Sequence, residues 1–591
     1  MSRKKHTFAA LLCCFLLKAQ AIAAPAKPTS NPAAATPTFF VPAGTYSGTQ
    51  SITIDSASEP PVVCYTTNGA TPATNGSNNC ATGAFYADPV VITTTTTLMA
   101  VAGGAGYTDS PVATATYTIH PTAGPVVFSP SSGTFATAPT VTLTPNVSGA
   151  TICFSTDGTT PTANGGGICT HGTTYTAPIT VSSTELVQAI ASNSGYIDSP
   201  VTAAGYAIGV GVSPYAPWAN GPSTSSSYFP IGVWSQSSFR ASSGEYQPLG
   251  INNFVGFYGS LTLADMNNFQ TGAMPYMPDQ NTIALTQTPQ NSYIKSWHMI
   301  DEPDDAQPIG GGAWGACISP SQLLTYYQNI QENDTTRPAY LNFGQGVSET
   351  SWIGRGPCTG ETTSYYPAAI QAADIIAFDI YPVAEYNGQL ELVPNGIDNL
   401  KTWSGGTKPI WNTIEALPFN GGTTPTPSQI NTEVWMSLIH GSQGIIYFVT
   451  QLSPTFREDG IFNYPTLVTA VTNINAQITS LASVLNSPTI ANDVSVSSSV
   501  SSVPISMMEK QLGGTTYVFA VAMRNSSTTG TFTTPEVSSG SVTVIGESRQ
   551  TPITNGQFVD SYAGYAVHLY QFPSASSSVP NPPTDLTAVV Q

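Results

Sequence analysis

The ten residues SWHMIDEPDD, Ser296 to Asp305, decide how the middle of this chain is read. An apolar, strand-like run ends there in four carboxylates, Asp301, Glu302, Asp304 and Asp305, although only 8% of the protein is Asp, Glu, Lys or Arg. From about 228 to 480 similar apolar runs alternate with helix-length segments, the βα rhythm of a parallel sheet. The strands expected are YFPIGVW (228–234), NFVGFYG (253–259), AMPYM (273–277), IKSWHMI (294–300), PAYLNF (338–343), IIAFDIY (375–381), PIWNTIE (409–415) and GIIYFV (444–449). Eight strand–helix units in about 250 residues are the size of a (β/α)8 TIM barrel, whose reactive groups stand where strands end and βα-loops begin. SPSQLLTYYQNIQEND (319–334) fits as one intervening helix, with Ser319 as N-cap and Pro320 in the first turn.

In this frame Asp301-Glu302 closes the fourth strand and Glu415 closes the seventh, so the two Glu are expected to face one mouth. Strand alternation puts Glu302, Ile300 and His298 on one face, as it does Glu415, Thr413 and Trp411, and Asp379 with Tyr381 on the sixth strand. Two carboxylates across a cleft can divide the work of glycoside hydrolysis, one protonating the leaving oxygen and the other attacking or stabilising the anomeric carbon. Asp304 and Asp305 read as a solvated loop or cap. A salt bridge would be the structural explanation for either Glu, but Lys and Arg are scarce in the barrel. Substrate contacts are expected from Asp301, His298, Tyr381, Asp379, Asn412, Trp234, Tyr258 and Trp314, the aromatic rings offering flat apolar faces to sugar C–H groups.

Composition frames this reading. A length of 591 residues implies three to five units, and a net charge of −18 argues against nucleic acid and anionic membrane surfaces, leaving a neutral or cationic ligand. Ser2-Arg3-Lys4-Lys5, an apolar run from Phe8 to Leu17 and the small residues Ala21-Ile22-Ala23 form an export signal, so the mature protein is expected to be secreted. The run is too short to span a bilayer. Six later cysteines suit an oxidising compartment, as three disulfides: Cys64 with Cys80, Cys153 with Cys169, and Cys317 with Cys358. No pair has zinc-ligand spacing, and no metal or organic cofactor is expected.

The equal cysteine spacing exposes a tandem duplication, CYTTNGATPATNGSNNC (64–80) over CFSTDGTTPTANGGGIC (153–169), at a constant offset of 89. Each copy carries short β-branched runs broken by Asn-Gly or Asp-Gly turns, the signal of a small antiparallel sandwich. The T-[ND]-G-x-TP core resembles the β-sandwich modules at the C-terminus of chitobiase and β-hexosaminidase. That resemblance implies a role in spacing, stabilisation or weak glycan contact.

The paired Glu on strands four and seven resemble the glycoside hydrolases of clan A, retaining (β/α)8 enzymes. The resemblance spans roughly 230 to 450 and implies Glu302 as acid/base, Glu415 as nucleophile and Tyr381 as a hydrogen-bond donor to that nucleophile. Asp301 stands where that clan commonly has Asn, and Phe448 where it often has Trp. Beyond about 483, alternating strands such as TTYVFAVAMRN and GYAVHLYQF predict a C-terminal β-sandwich, followed by a Pro/Ser tail.

The expected plan is a signal peptide (1–23), a linker (24–37), β-sandwich repeats (38–120 and 124–209), the barrel (212–482), a C-terminal β-sandwich (483–573) and a tail (574–591). The expected function is a secreted, monomeric, retaining glycosidase with a carbohydrate substrate. The alternative is a non-catalytic glycan-binding protein on a degenerate barrel. A metal-dependent hydrolase lacks the strand-end His it would need.

Overall fold

The computed structural model describes residues 31–574 except 59–61, 210, 258, 353, 356–363, 419–420 and 491–492. The expected signal peptide, nearly all of the tail, Tyr258 and Cys358 therefore lie outside the described residues. The chain divides into two compact units, 1–121 and 122–591.

The first unit is the first repeat. Its main sheet runs in the order 44–46, 113–119, 96–103, 62–66, 84–85, with short pairs 38–39/54–55 and 50–52/90–92 facing it. Alternation along these strands points Ile52, Val63, Leu98, Ala100, Ala115 and Tyr117 into one core. Cys64 and Cys80 are joined, closing the Asn-Gly loop between them. The module begins before the expected boundary: Ala34 is buried in this core and its N–H donates to the Thr108 carbonyl at 3.0 Å, so the end of the expected linker is part of the sandwich.

In the second unit the second repeat reproduces that sheet as 133–135, 202–208, 185–192, 151–155, 173–174, with Cys153 bonded to Cys169. It is joined to the barrel by buried polar contacts. Ser132 Oγ donates to Asp374 at 2.7 Å, and Lys408 Nζ donates to Ser132 Oγ at 3.2 Å and to the Ala373 carbonyl at 2.6 Å. Tyr327 and the Ala339 amide give Asp374 two more hydrogen bonds. Such groups are tolerated in a dry interior because each has partners. Burial still pushes the Lys408 ammonium down to about 8.

The barrel has the eight expected strands: β1 (Ile231–Trp234), β2 (Asn253–Val255), β3 (Tyr276–Met277), β4 (Trp297–His298), β5 (Ala339–Phe343), β6 (Ile375–Asp379), β7 (Ile410–Glu415) and β8 (Gly444–Phe448). All neighbours are parallel, in the order β3-β2-β1-β8-β7-β6-β5-β4, and bridges from Tyr276 to Ile294 and Asp279 to His298 close the ring. Val255, Met277, Tyr340, Ile375, Ala377, Trp411 and Ile446 fill the interior. Opposite-facing residues such as Ile414, Ile445 and Phe254 pack under the surrounding helices. The expected helix is Pro320–Asn333, with Ser319 and Gln322 forming a capping box.

The C-terminal region is one nine-stranded antiparallel sheet rather than two separate ones. It curls to enclose a core of Val518, Ala520, Phe532, Val542, Phe558 and Tyr570. Its other face packs on the helix Pro427–His440, where Trp435 meets Phe519 at 5.3 Å between ring centres.

Candidate active site

A cleft of about 610 Å³ opens at the carboxyl ends of the barrel strands, where the fold is expected to carry its chemistry. Asp301 and Glu302 follow β4, Asn342 and Gln345 stand at the end of β5, and Asp379 and Tyr381 at the end of β6. Trp234, Trp352, Tyr381 and Phe448 add aromatic walls. Asp305, Arg355 and Glu385 complete the charged lining.

Glu302 sits at φ +43°, a left-handed conformation that costs a residue with a Cβ about 1 kcal/mol or more. Its N–H donates to the Asn342 carbonyl at 3.0 Å, which holds the turn, and Oε2 receives Arg355 at 2.5 Å. Arg355 also pairs with Asp305 at 2.5 Å and lies over the Trp314 ring at 4.8 Å. Asp379 accepts from the Tyr381 hydroxyl at 2.7 Å and from the Asn342 amide at 3.4 Å, and the same amide donates to Asp301 at 3.1 Å. Desolvation, then the charges of Asp379 and Asp301, push the Glu302 carboxyl well above the usual glutamate range against the opposing pull of Arg355. Desolvation and the Asp301 charge push Asp379 up to about 7. Burial and mutual repulsion thus raise both carboxyls, and their protons belong to the cluster rather than to one residue.

The structure brings Asp301, Glu302, Asp379, Tyr381 and Trp234 together at the cleft. It does not bring Glu415. That residue is fully buried, its two oxygens accept the backbone N–H groups of Val383 and Ala384, and its neighbour is the buried Glu433 carboxyl of the Pro427–His440 helix, which burial and Glu415 push well above the usual glutamate range. Burial pushes Glu415 up to about 7. The expected strand-four and strand-seven pair is therefore corrected: Glu415 caps the short helix Pro382–Glu385, and Tyr381 donates to Asp379 rather than to Glu415.

Asn412 lies one residue out of phase with the inward-facing Trp411 and Thr413, and its amide donates to the Phe378 carbonyl at 3.1 Å, so it is a packing residue between strands. His298 is buried beside Trp234 and Tyr340 with Nδ1 2.9 Å from Asp279, below the cleft rather than on its lining. Trp314 is exposed on the hairpin Pro308–Gly310/Ala313–Trp314 and reaches the cleft only through Arg355. Asp304 and Asp305 are not a solvated loop. Asp304 is buried, accepts from Gly344 N and Tyr366 Oη at 2.8 and 2.9 Å, and is pushed up to about 6 by that burial. Cys317 is disulfide-bonded, and its expected partner Cys358 lies outside the described residues. Sequence reasoning missed Asn342, Gln345, Trp352, Arg355 and Glu385. Asn342 was within reach, because it falls near the end of the fifth strand at the depth of Glu302.

Among the described residues no cluster of His, Cys, Asp and Glu could hold a metal, and no helix is long and apolar enough to cross a membrane. Residues 41–114 and 130–203 match the chitobiase/beta-hexosaminidase C-terminal domain. Both repeats are modules of that family. No curated protein matches the chain. Solved structures similar to it include the glycoside hydrolase family 30 subfamily 8 xylanase Xyn30A of Clostridium acetobutylicum, at 13% identity and TM-score 0.33, covering 58% of this chain and 96% of that one. The alpha-amylase of Geobacillus thermoleovorans aligns at 7% identity and TM-score 0.37, covering 58% and 98%, and that of Lactobacillus plantarum at 12% and 0.35, covering 59% and 99%.

Proposed function

We propose that the barrel is a secreted glycosidase that cleaves β-glycosidic bonds of a polysaccharide or oligosaccharide by double displacement. Glu302 is the acid/base and Asp379 the second carboxylate. The observation that carries this reading is the shared cleft: two strand-end carboxyl groups from neighbouring strands, both pushed up by burial and by neighbouring acids, between aromatic walls. Environments that separate two carboxyl pKa values mark an acid and its partner base or nucleophile. In the first step Glu302 gives its proton to the glycosidic oxygen as Asp379 attacks the anomeric carbon. In the second, Glu302 takes a proton from the incoming water and the Asp379 ester is cleaved. The disulfides of the two repeats support an oxidising compartment, and the N-terminal sequence supports export.

The test is hydrolysis of a panel of polysaccharides and aryl β-glycosides by the wild type, Glu302→Gln and Asp379→Asn, with the anomer of the first product read by NMR. Loss of activity in both variants with retained configuration is the expected result, and activity surviving both would overturn the site. A second reading, a non-catalytic glycan-binding barrel, is favoured by one pair of observations: Arg355 occupies Glu302, and Glu415 is withdrawn from the mouth. Binding of a glycan without cleavage by the wild type would select it.

A further inference from the structure

The cleft is short of positive charge. Five of the side chains that line it are acidic, Asp301, Glu302, Asp305, Asp379 and Glu385, and one is basic. That one, Arg355, is committed to Glu302 and Asp305. Asp301 and Asp379 share the neutral Asn342 amide, and Glu385 receives the neutral Gln345 amide at 2.6 Å. Among the described residues none of these three acids has a cationic side chain within ion-pair distance, Arg355 pairing with Glu302 and Asp305 instead.

A second observation concerns the two amides. Asn342 and Gln345 are 2% and 7% exposed, and each turns its NH₂ toward a carboxyl group. Their oxygens, Asn342 Oδ1 and Gln345 Oε1, are left with no donor among the described residues. Two unsatisfied acceptors therefore lie just behind the wall that carries the acidic side chains. A buried acceptor without a donor is costly, and a concave site whose acids outnumber its one cation, with Glu385 outside any ion pair among the described residues, attracts a cation.

The geometry points to a substrate built of amino sugars with free ammonium groups, a poly- or oligosaccharide of 2-amino-2-deoxyhexose, seated with one ammonium on Glu385 and Gln345. An ammonium brings three N–H donors and one positive charge, whereas a neutral sugar hydroxyl brings one donor and no charge, an N-acetylated amino sugar has lost the charge, and a uronic acid is repelled. Glu385 suits the role because it is exposed and, among the described residues, its carboxylate is held by the Gln345 amide alone, while Glu302 has Arg355 and Asp301 and Asp379 share the Asn342 amide. As an account of turnover this rests on the glycosidase reading; as an account of the ligand it does not.

The experiment measures calorimetric binding to Glu302→Gln near pH 6 with three hexamers of equal length: fully deacetylated glucosamine, its N-acetylated form and a neutral glucan. Wild-type hydrolysis of the same three follows. The expected result is at least about tenfold tighter binding of the deacetylated hexamer, an advantage that shrinks on raising the salt and in Glu302→Gln/Glu385→Gln. Cleavage of that hexamer by the wild type supports both readings. Binding without cleavage supports the ligand and removes the glycosidase reading. Cleavage of the neutral or acetylated hexamer with no preference for the cationic one overturns the inference and leaves the glycosidase standing. No binding of any hexamer, or a preference untouched by Glu385→Gln, also overturns it. Should Glu302→Gln not fold, wild-type initial rates on the three hexamers give the same comparison.

Discussion

Replacing Glu415 by Gln separates a carboxylate that does chemistry from one that supports the scaffold. In the structure its carboxyl is fully buried against two backbone amides and titrates at about 7 instead of 4.5. A folded-state pKa above the unfolded value means that the folded protein binds the proton more tightly. Stability from this group is therefore full below about pH 4.5 and is lost as pH rises through about 7. The displacement corresponds to about 3 kcal/mol, shared with Glu433 because the two carboxyls titrate as a pair. Glutamine keeps one acceptor oxygen for an amide and cannot ionise. Glu415→Gln should then lose about 1 kcal/mol at pH 5 from the weakened cap and gain at pH 8, flattening the fall of stability between them. The assay is urea unfolding of both proteins at pH 5, 6, 7 and 8, beside activity at each pH. Activity should stay within about tenfold of wild type, against a loss of at least about a hundredfold for Glu302→Gln. An equal loss in the two variants, with unchanged pH dependence of stability, would refute the placement of Glu415 and restore it as a reacting group.

Asp379→Asn should cost at least about a hundredfold in turnover and move the basic limb of the pH–rate profile to lower pH, because the charge that holds the Glu302 proton in place is gone; an unmoved limb would separate the two residues. Arg355→Ala should move that limb the other way, since the guanidinium opposes protonation of Glu302, as a pH–rate series would reveal. Lys408→Met should destabilise the second unit by about 3 kcal/mol, leaving the buried Asp374 without its nearby cation, measured by urea midpoint. Reduction of Cys153–Cys169, with 16 residues of separation, should cost about 3 kcal/mol, seen as a lower melting temperature of that unit in reductant.

The barrel was legible because its strands are apolar runs buried on both faces, and each of the eight runs quoted from the sequence contains an observed strand. The helix after Ser319 was legible from its cap, and two disulfides from the repeat. The Glu302 position followed from the same strand count. What failed was direction at strand ends. Alternation assigns a face to a residue within a strand, yet Glu415 is the last residue of β7, where a side chain can answer groups brought from elsewhere; the amides of Val383 and Ala384 did so. Asp304 and Asp305 were misjudged for a similar reason, since Gly344, Tyr366 and Arg355 reach them from distant segments. Arg355 itself lies in a stretch with no periodicity to announce a partner.

The two copies of the repeat have had different fates. Ser132, whose hydroxyl meets Asp374 and Lys408, corresponds to Ala43 in the first copy, which has no hydroxyl to offer. The second copy has thus become part of the barrel's foundation, while the first remains a unit that ends at Pro121. For anyone trimming the protein, the useful scissors point is between residues 121 and 122. A cut at 212, where the repeat pattern stops, would strip the Ser132 hydroxyl from the buried Lys408 and Asp374.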